Sequence, residues 1–291
     1  MCVNIRFFGC RQLPSVAARD VGCQSVVRHE GNVCGMASIF VTGSSDGIGQ
    51  ETARRLVSDG HRVVLHARDD ARAKDAAAAV PGAAGVAVGD LSVIHGIRQA
   101  ADSAGELGPY DVVIHNAGVG SAPARHPTPD SFERIFAVNV LGPYLLTALM
   151  PLPERLVYLS SGLESAGRVN LADLQWERRP WNGFQAYSDS KLYDVLLAFA
   201  VARRYPRLRS NAVDPGWIKT KLGGAGATDE LPIGADTQVW LATSDEPAAL
   251  VTGRYFKWRE DLRANPAAYD IDQQEALLAA CASLTGTQLP G

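Results

Sequence analysis

Tyr187 and Lys191 stand four residues apart in AYSDSKLYDVLL, residues 186–197, and their types and spacing suit proton chemistry. On a helix the phenol and the ammonium leave one face a turn apart, and a cation that close favours an ionised phenol. Such a tyrosine can serve as an acid or base near neutral pH. The same spacing also recurs in ordinary solvated helices, so the elements that must carry the pair decide its meaning.

From Met36 onward, strand and helix patterns alternate. SIFV, residues 38–41, is a short apolar run followed by TGSSDGIGQ and a helix, ETARRLVSDG, that stops on Gly60. In this order of strand, glycine-rich turn and helix, Gly43, Gly47 and Gly49 let the backbone approach a ligand closely. The amides at the helix start favour a pyrophosphate. The spacing is wider than G-x-G-x-x-G, and a glycine-rich turn by itself is often only a turn. Here both flanks are in place.

HRVVLH, residues 61–66, predicts a second strand that delivers Ala67, Arg68 and Asp69. At this strand end an acid accepts from a ribose 2′-hydroxyl, whereas an arginine pairs with a 2′-phosphate. Arg68 therefore favours NADP, with NAD as the alternative. Asp69 next to it and Asp46 within the glycine turn act against that preference, and a strand-end arginine serves equally as a solvated charge.

A helix over 70–79 and a strand around 86–88 lead to Asp90 and Leu91. Asp90 has two readings, an acceptor for an adenine amino group and a cap for a helix starting near Ser92. DVVIH, residues 111–115, precedes Asn116, Ala117 and Gly118, where small residues let the backbone close over a ligand and the Asn116 amide staples neighbouring strands. A long helix is expected from about Pro129 to Met150. It contains Asn139, and Pro143 four residues later removes the donor for the Asn139 carbonyl, which predicts a kink. A strand over 155–159 ends in Ser160, Ser161 and Gly162, at the edge where open parallel sheets bind ligands.

The 291 residues carry a net charge of -3 with lysines and arginines scattered, which gives no basic field for nucleic acid. No run of eighteen apolar residues predicts a membrane span, and the N-terminus lacks the basic-then-apolar order of a secretory signal. A cytoplasmic protein with a small-molecule substrate is expected. Of five cysteines, Cys2, Cys10, Cys23 and Cys34 crowd the first 35 residues, leaving only Cys281 in the remainder. They form no C-x-x-C pair and have no histidine cluster, so no metal site is expected. Residues 1–35 also lack periodicity and are read as a disordered extension or an over-long start. The domain is placed at 36–291, and its alternating pattern predicts an α/β fold: a three-layer, Rossmann-type, doubly wound parallel sheet in a single domain.

In combination, T42-G43-S44-S45-D46-G47-I48-G49, N116-A117-G118, Asn139, Ser160-Ser161, Y187-S-D-S-K191 and P215-G216-W-I-K-T220 resemble, in content and order, the short-chain dehydrogenases/reductases. The likeness runs from about Met36 to Leu284. It is greatest to the retinol-dehydrogenase-like and carbonyl-reductase-like branch, with which the chain shares a longer serine-to-tyrosine segment, L171-A-D-L-Q, and GRYF before the last helix. The resemblance implies Tyr187 as general acid/base, Lys191 as ribose ligand and as the cation acting on the tyrosine, and Ser161 bonded to the substrate oxygen, with Ser160 as the fallback. It implies Asn139 as holder of a water that leads protons to Lys191. It further implies cofactor contacts from Gly43, Ser45, Asp46, Gly47, Ile48, Gly49, Arg68, Asp90, Leu91, Asn116, Ala117, Gly118, Tyr187, Lys191, Pro215, Gly216 and Thr220.

The reaction so implied moves a hydride between the nicotinamide of NADP (or NAD) and a carbonyl or alcohol. Leu163, Trp176, Trp181 and Phe184, together with a lid over 217–233, suggest an apolar substrate. Packing of the insertion on the domain surface is the competing reading for those aromatics. Epimerisation or dehydration of a nucleotide sugar, and a non-catalytic dinucleotide sensor, are the alternative functions. A homo-oligomer is compatible with all three.

Overall fold

Residues 39–41, 63–65 and 112–114 are apolar on successive positions, not on alternate ones, so a strand made from them must be covered on both faces. The computed structural model describes residues 35–291. The extension expected over 1–35 lies outside the described residues, apart from Gly35. Among those described, β1 (Ser38–Val41), β2 (Arg62–Ala67), β3 (Gly85–Val88), β4 (Val112–His115), β5 (Arg155–Leu159), β6 (Arg209–Asp214) and β7 (Tyr255–Lys257) run parallel. Their order is β3-β2-β1-β4-β5-β6-β7. The doubly wound parallel sheet expected from the sequence is present, with one addition at its edge. β8 (Glu260–Leu262) adds an antiparallel edge, because only Trp258 and Arg259 separate it from β7, too short a link for a crossover.

The helices in chain order are α1 (Gly47–Ser58), α2 (Asp70–Ala79), α3 (Ile94–Leu107), the single turn α4 (Arg134–Phe136), α5 (Gly142–Leu149), α6 (Gly183–Arg204), α7 (Leu231–Thr243) and α8 (Ile271–Thr285). α1, α2 and α7 bury one face of the sheet through residues such as Leu56, Ala76 and Trp240. α3, α5 and α6 bury the other through Ile97, Leu145 and Leu196, and α8 packs outside α6. α6 is consequently buried all round from Ser188 to Ala202. Its polar side chains must therefore find partners inside the protein. No helix among the described residues is long and apolar enough to cross a membrane.

The helix expected from Pro129 to Met150 starts later and is not uniform. Ser131 has a φ of +66°, and the Glu133 carboxylate caps the chain by accepting from the amides of Ile135 and Phe136 at 2.9 and 2.8 Å. After α4 the coil widens into a π-helical segment, Ala137–Leu141, in which Gly142 donates to the Ala137 carbonyl five residues back. Pro143 offers no N–H to the carbonyl four residues before it, and the coil is widened just ahead of it, at the place where a kink is expected from the sequence.

Candidate active site

β1 lies between β2 and β4, so the chain leaves the β3 edge and returns to the centre of the sheet. Such a reversal opens a crevice at the carboxyl ends of the strands. A cavity of about 1350 Å³ occupies that place. It is lined by all the residues assigned from sequence to the cofactor, from Gly43 through Thr220, and by Ser160, Ser161, Tyr187 and Lys191.

The glycine turn is pressed against the segment after β4. Gly43 has a φ of +62°, and a β-carbon there would stand 2.7 Å from the Ala117 Cα; one on Gly49 would stand 2.3 Å from Asn116 Nδ2. Asn116 acts as the expected staple, its amide donating to the carbonyls of Thr42 at 2.8 Å and Gly43 at 3.2 Å. From β2, His66 accepts from the Gly43 amide at 3.0 Å through Nδ1, which leaves Nε2 to donate to the Gly89 carbonyl at 2.9 Å. Burial pushes this imidazole down to about 4, so it is neutral. From sequence His66 is legible only as a strand residue. A polar side chain inside an otherwise apolar strand was the available signal.

Asp46 precedes α1 without capping it; its carboxylate turns away to accept from Arg72 at 2.8 Å and Lys221 at 3.3 Å. The first-turn amides of α1 thus keep no side-chain acceptor from that residue, which suits an anion. Arg72 also donates to Ser45 Oγ at 3.1 Å. It was missed from sequence, although it lies four residues beyond Arg68. Arg68 itself is largely exposed and pairs with Asp69 at 3.2 Å. The capping role considered for Asp90 is corrected. Its carboxylate accepts from Ser92 N at 2.9 Å, but α3 begins at Ile94, whose amide donates to Asp130 at 2.6 Å. The turn from Asp90 to Val93 delays the helix and separates the two roles.

Tyr187 and Lys191 share the first half of α6, with Lys191 Nζ 5.9 Å from the centre of the tyrosine ring. The ammonium donates to the Leu159 carbonyl at 2.7 Å and to Asp194 Oδ2 at 2.8 Å. Asp194 was not singled out from sequence. It lies one turn further along the same helix, a spacing that brings opposite charges together. Burial opposes the charge on Lys191, yet Asp194 and Tyr187 hold its pKa above the usual lysine value. Burial also pushes Asp194 up to about 6, against the pull of the ammonium.

The two serines after β5 divide their work. Ser160 is buried and donates to the Lys191 carbonyl at 2.7 Å, fixing α6 to the strand end. Ser161 is less buried; its Oγ accepts from Leu163 N at 3.3 Å, and its carbonyl accepts from the Tyr255 hydroxyl at 3.2 Å. Asn139 lies outside the cavity lining. It accepts from Val119 N at 2.8 Å and donates to the Val119 carbonyl at 3.1 Å and to Ser190 Oγ at 3.0 Å. It thereby joins the π-helical segment to the segment after β4 and to α6.

The segment after β6 reaches back over the crevice. Thr220 lies against the glycine turn, where a β-carbon on Gly47 would meet its methyl at 3.5 Å, and Lys221 reaches Asp46. The aromatics expected at a substrate pocket separate into two groups. Leu163 and Phe184 line the cavity, with Trp217 and Leu222 from the returning segment. Trp176 and Trp181 pack on each other at 5.5 Å, with the Arg179 guanidinium 3.5 Å over the Trp176 ring, so for them the packing reading holds.

This sheet order, with a glycine turn at one end of the cavity and a tyrosine–lysine helix at the other, defines a doubly wound α/β protein of the dinucleotide-binding class. The family model described as short chain dehydrogenase matches residues 37–230, and the chain belongs to that family. It is 41% identical to "Short-chain dehydrogenase chry4" of Gibberella zeae over 88% of this chain and 99% of that one. Human "Retinol dehydrogenase 13" is 33% identical over 87% of this chain and 86% of its own length, in keeping with the branch the motifs resemble. Among solved structures, an uncharacterized protein from Mycobacterium paratuberculosis superposes with a TM-score of 0.77 at 30% identity, covering 88% of this chain and 95% of that one.

Proposed function

We propose that this protein is an oxidoreductase that exchanges a hydride between a nicotinamide dinucleotide, NADP in preference to NAD, and a carbonyl or alcohol with a largely apolar body. One observation carries the reading: Tyr187, Lys191 and Ser161 reach the wall of the same cavity whose far end is the glycine turn. When bound, the cofactor supplies or takes up the hydride. The protein provides position and a proton.

In reduction the Tyr187 hydroxyl gives its proton to the substrate oxygen as charge develops there, and in oxidation it takes the proton back. Ser161 Oγ donates to the same oxygen and stabilises that charge. The Lys191 ammonium attracts the negative charge left on the phenol oxygen and would hold the ribose. Asn139, behind the cavity wall, is assigned the water that leads protons toward Lys191. The glycine turn and the start of α1 would hold the pyrophosphate, Pro215, Gly216 and Thr220 the nicotinamide side, and Asp90 and Leu91 the adenine side. Preference for a 2′-phosphate is assigned to Arg68 and Arg72, with Lys221 near them. The apolar end of the substrate falls to Leu163, Phe184, Trp217 and Leu222.

The test is Tyr187→Phe in the full chain. Turnover should fall by about 10²–10⁴-fold while the reduced cofactor still binds with wild-type affinity. Loss of binding together with turnover would make the tyrosine a structural residue and overturn the assignment.

A further inference from the structure

Beyond Ser161 the cavity wall carries a charged pair that the proposed chemistry leaves unused. Lys257, the last residue of β7, is in register with Asp214, the last residue of β6, so their side chains leave the same face of the sheet. Lys257 Nζ stands 2.9 Å from Asp214 Oδ2, and both residues line the cavity. The Asp214 carboxylate is buried against Gly162, where a β-carbon would sit 3.0 Å from Oδ2; its other oxygen accepts from Gly216 N at 3.0 Å. Two residues before Lys257, and so on the same face, Tyr255 donates to the Ser161 carbonyl. A single strand therefore holds the serine assigned to the substrate oxygen and puts an ammonium on the wall of the same cavity.

Backbone strain marks the same place. Trp258 and Arg259 form the two-residue link to β8 with φ of +52° and +63°, angles that tight hairpins usually obtain from Asn-Gly. The turn is held by Arg259, which bonds both oxygens of Asp236 at 2.7 Å, and by its amide, which donates to Thr237 Oγ1 at 3.1 Å. Its result is a tryptophan ring 4.8 Å from Lys257 Nζ. The ring stands on one side of the ammonium, and the Lys257 side chain, which lines the cavity, remains about 29% exposed.

We propose that Lys257 is a specificity-determining residue that donates a hydrogen bond to a second, uncharged oxygen of the substrate. The substrate class is then a carbonyl compound or alcohol that carries a further hydroxyl or carbonyl oxygen on an otherwise apolar body. An ammonium has three donors and Asp214 takes one of them. Asp214 also settles the charge preference. With a carboxylate bonded to the ammonium the pair is neutral overall, so it offers a substrate carboxylate no net attraction to offset its desolvation, whereas a neutral oxygen needs only a donor. The inference rests on the oxidoreductase reading above.

The experiment compares kcat/KM of the full chain for benzaldehyde, its three ring-hydroxylated forms and a ring-carboxylated form, each with NADPH. The expected result is a hydroxyl-to-parent ratio of about ten or more for at least one isomer in the wild type, carried mainly by KM. That ratio should fall to about one in Lys257→Met. Because that substitution strands a buried carboxylate, the double variant Lys257→Met/Asp214→Asn keeps the comparison open and should show the same fall. Asp214→Asn alone frees the ammonium and should raise the carboxylate-to-parent ratio. A hydroxyl preference that survives in both Lys257 variants, or is missing from a wild type that reduces the parent, overturns this proposal alone. Failure of the wild type to reduce any member of the series removes the oxidoreductase reading and the proposal with it.

Discussion

Lys191 and Asp194 form an ion pair of 2.8 Å inside the protein, with their side chains 6% and 4% exposed. The lysine assigned to the chemistry therefore has a fixed partner in the same helix. Removing one member of such a pair leaves a buried, uncompensated charge, which costs about 3–5 kcal/mol. Asp194→Ala is expected to lower the unfolding free energy by that amount in urea titrations. The double variant Lys191→Met/Asp194→Leu should recover most of the loss in stability, while activity is expected to stay lost. Additive losses in the double variant would contradict the pairing.

Two of the cations near the glycine turn share one carboxylate. Arg72 and Lys221 both bond Asp46, whereas Arg68 bonds Asp69. A 2′-phosphate bound there must compete with Asp46 for Arg72. Asp46→Asn is expected to tighten NADPH binding by roughly twofold to tenfold, in line with the small energies of partly exposed pairs, and to leave NADH unchanged. Arg72→Ala and Arg68→Ala should each weaken NADPH selectively. Reduced-nicotinamide fluorescence with both cofactors checks this; equal losses with NADH would remove the 2′-phosphate assignment, and no loss with either would assign these arginines to solvent.

His66 makes the fold sensitive to acid in a defined window. Its folded value of about 4 lies below the ordinary 6.5, so above pH 6.5 neither state binds the proton and stability is at its full level. Between pH 6.5 and about 4 the unfolded chain takes a proton that the folded chain refuses, and stability falls by on the order of 3 kcal/mol. Buried His115, pushed down to about 3, adds in the same direction. His66→Asn keeps an acceptor for Gly43 and should be less stable than wild type at pH 7.5. That gap should narrow by pH 4.5 in urea midpoints, and a constant gap would remove His66 from the acid response.

Gly49 is placed where no side chain fits. Gly49→Ala forces a β-carbon into Asn116 Nδ2 and the Gly43 carbonyl, at 2.3 and 2.5 Å. The expected cost is about 1–3 kcal/mol of stability, with cofactor affinity lost as the turn moves away from Asn116. Unchanged affinity in fluorescence titrations would separate this turn from the binding site.

Local signals were legible because they depend on neighbours in the chain. The runs at 70–79 and 155–159 match α2 and β5 residue for residue, and the alternation of strands and helices gave the sheet its crossovers. The stretch from Pro129 departs from one continuous helix because its apolar pattern does not encode where the helix starts. The Glu133 cap and the left-handed Ser131, which set the start, are decided by the turn's own backbone. β8 escaped notice because EDL is short, polar and exposed; pairing with β7 makes it a strand.

From sequence alone came the dinucleotide-type fold, the tyrosine–lysine pair and the edge of the sheet where a ligand belongs, since helical spacing and glycine turns are properties of contiguous residues. Tertiary structure decided which of two adjacent serines is tied to the Lys191 carbonyl and which cations meet at Asp46. It also decided that Lys257 stands against Asp214. Those partners are 26 to 175 residues apart, and only the order in which strands assemble brings them within a hydrogen bond of each other.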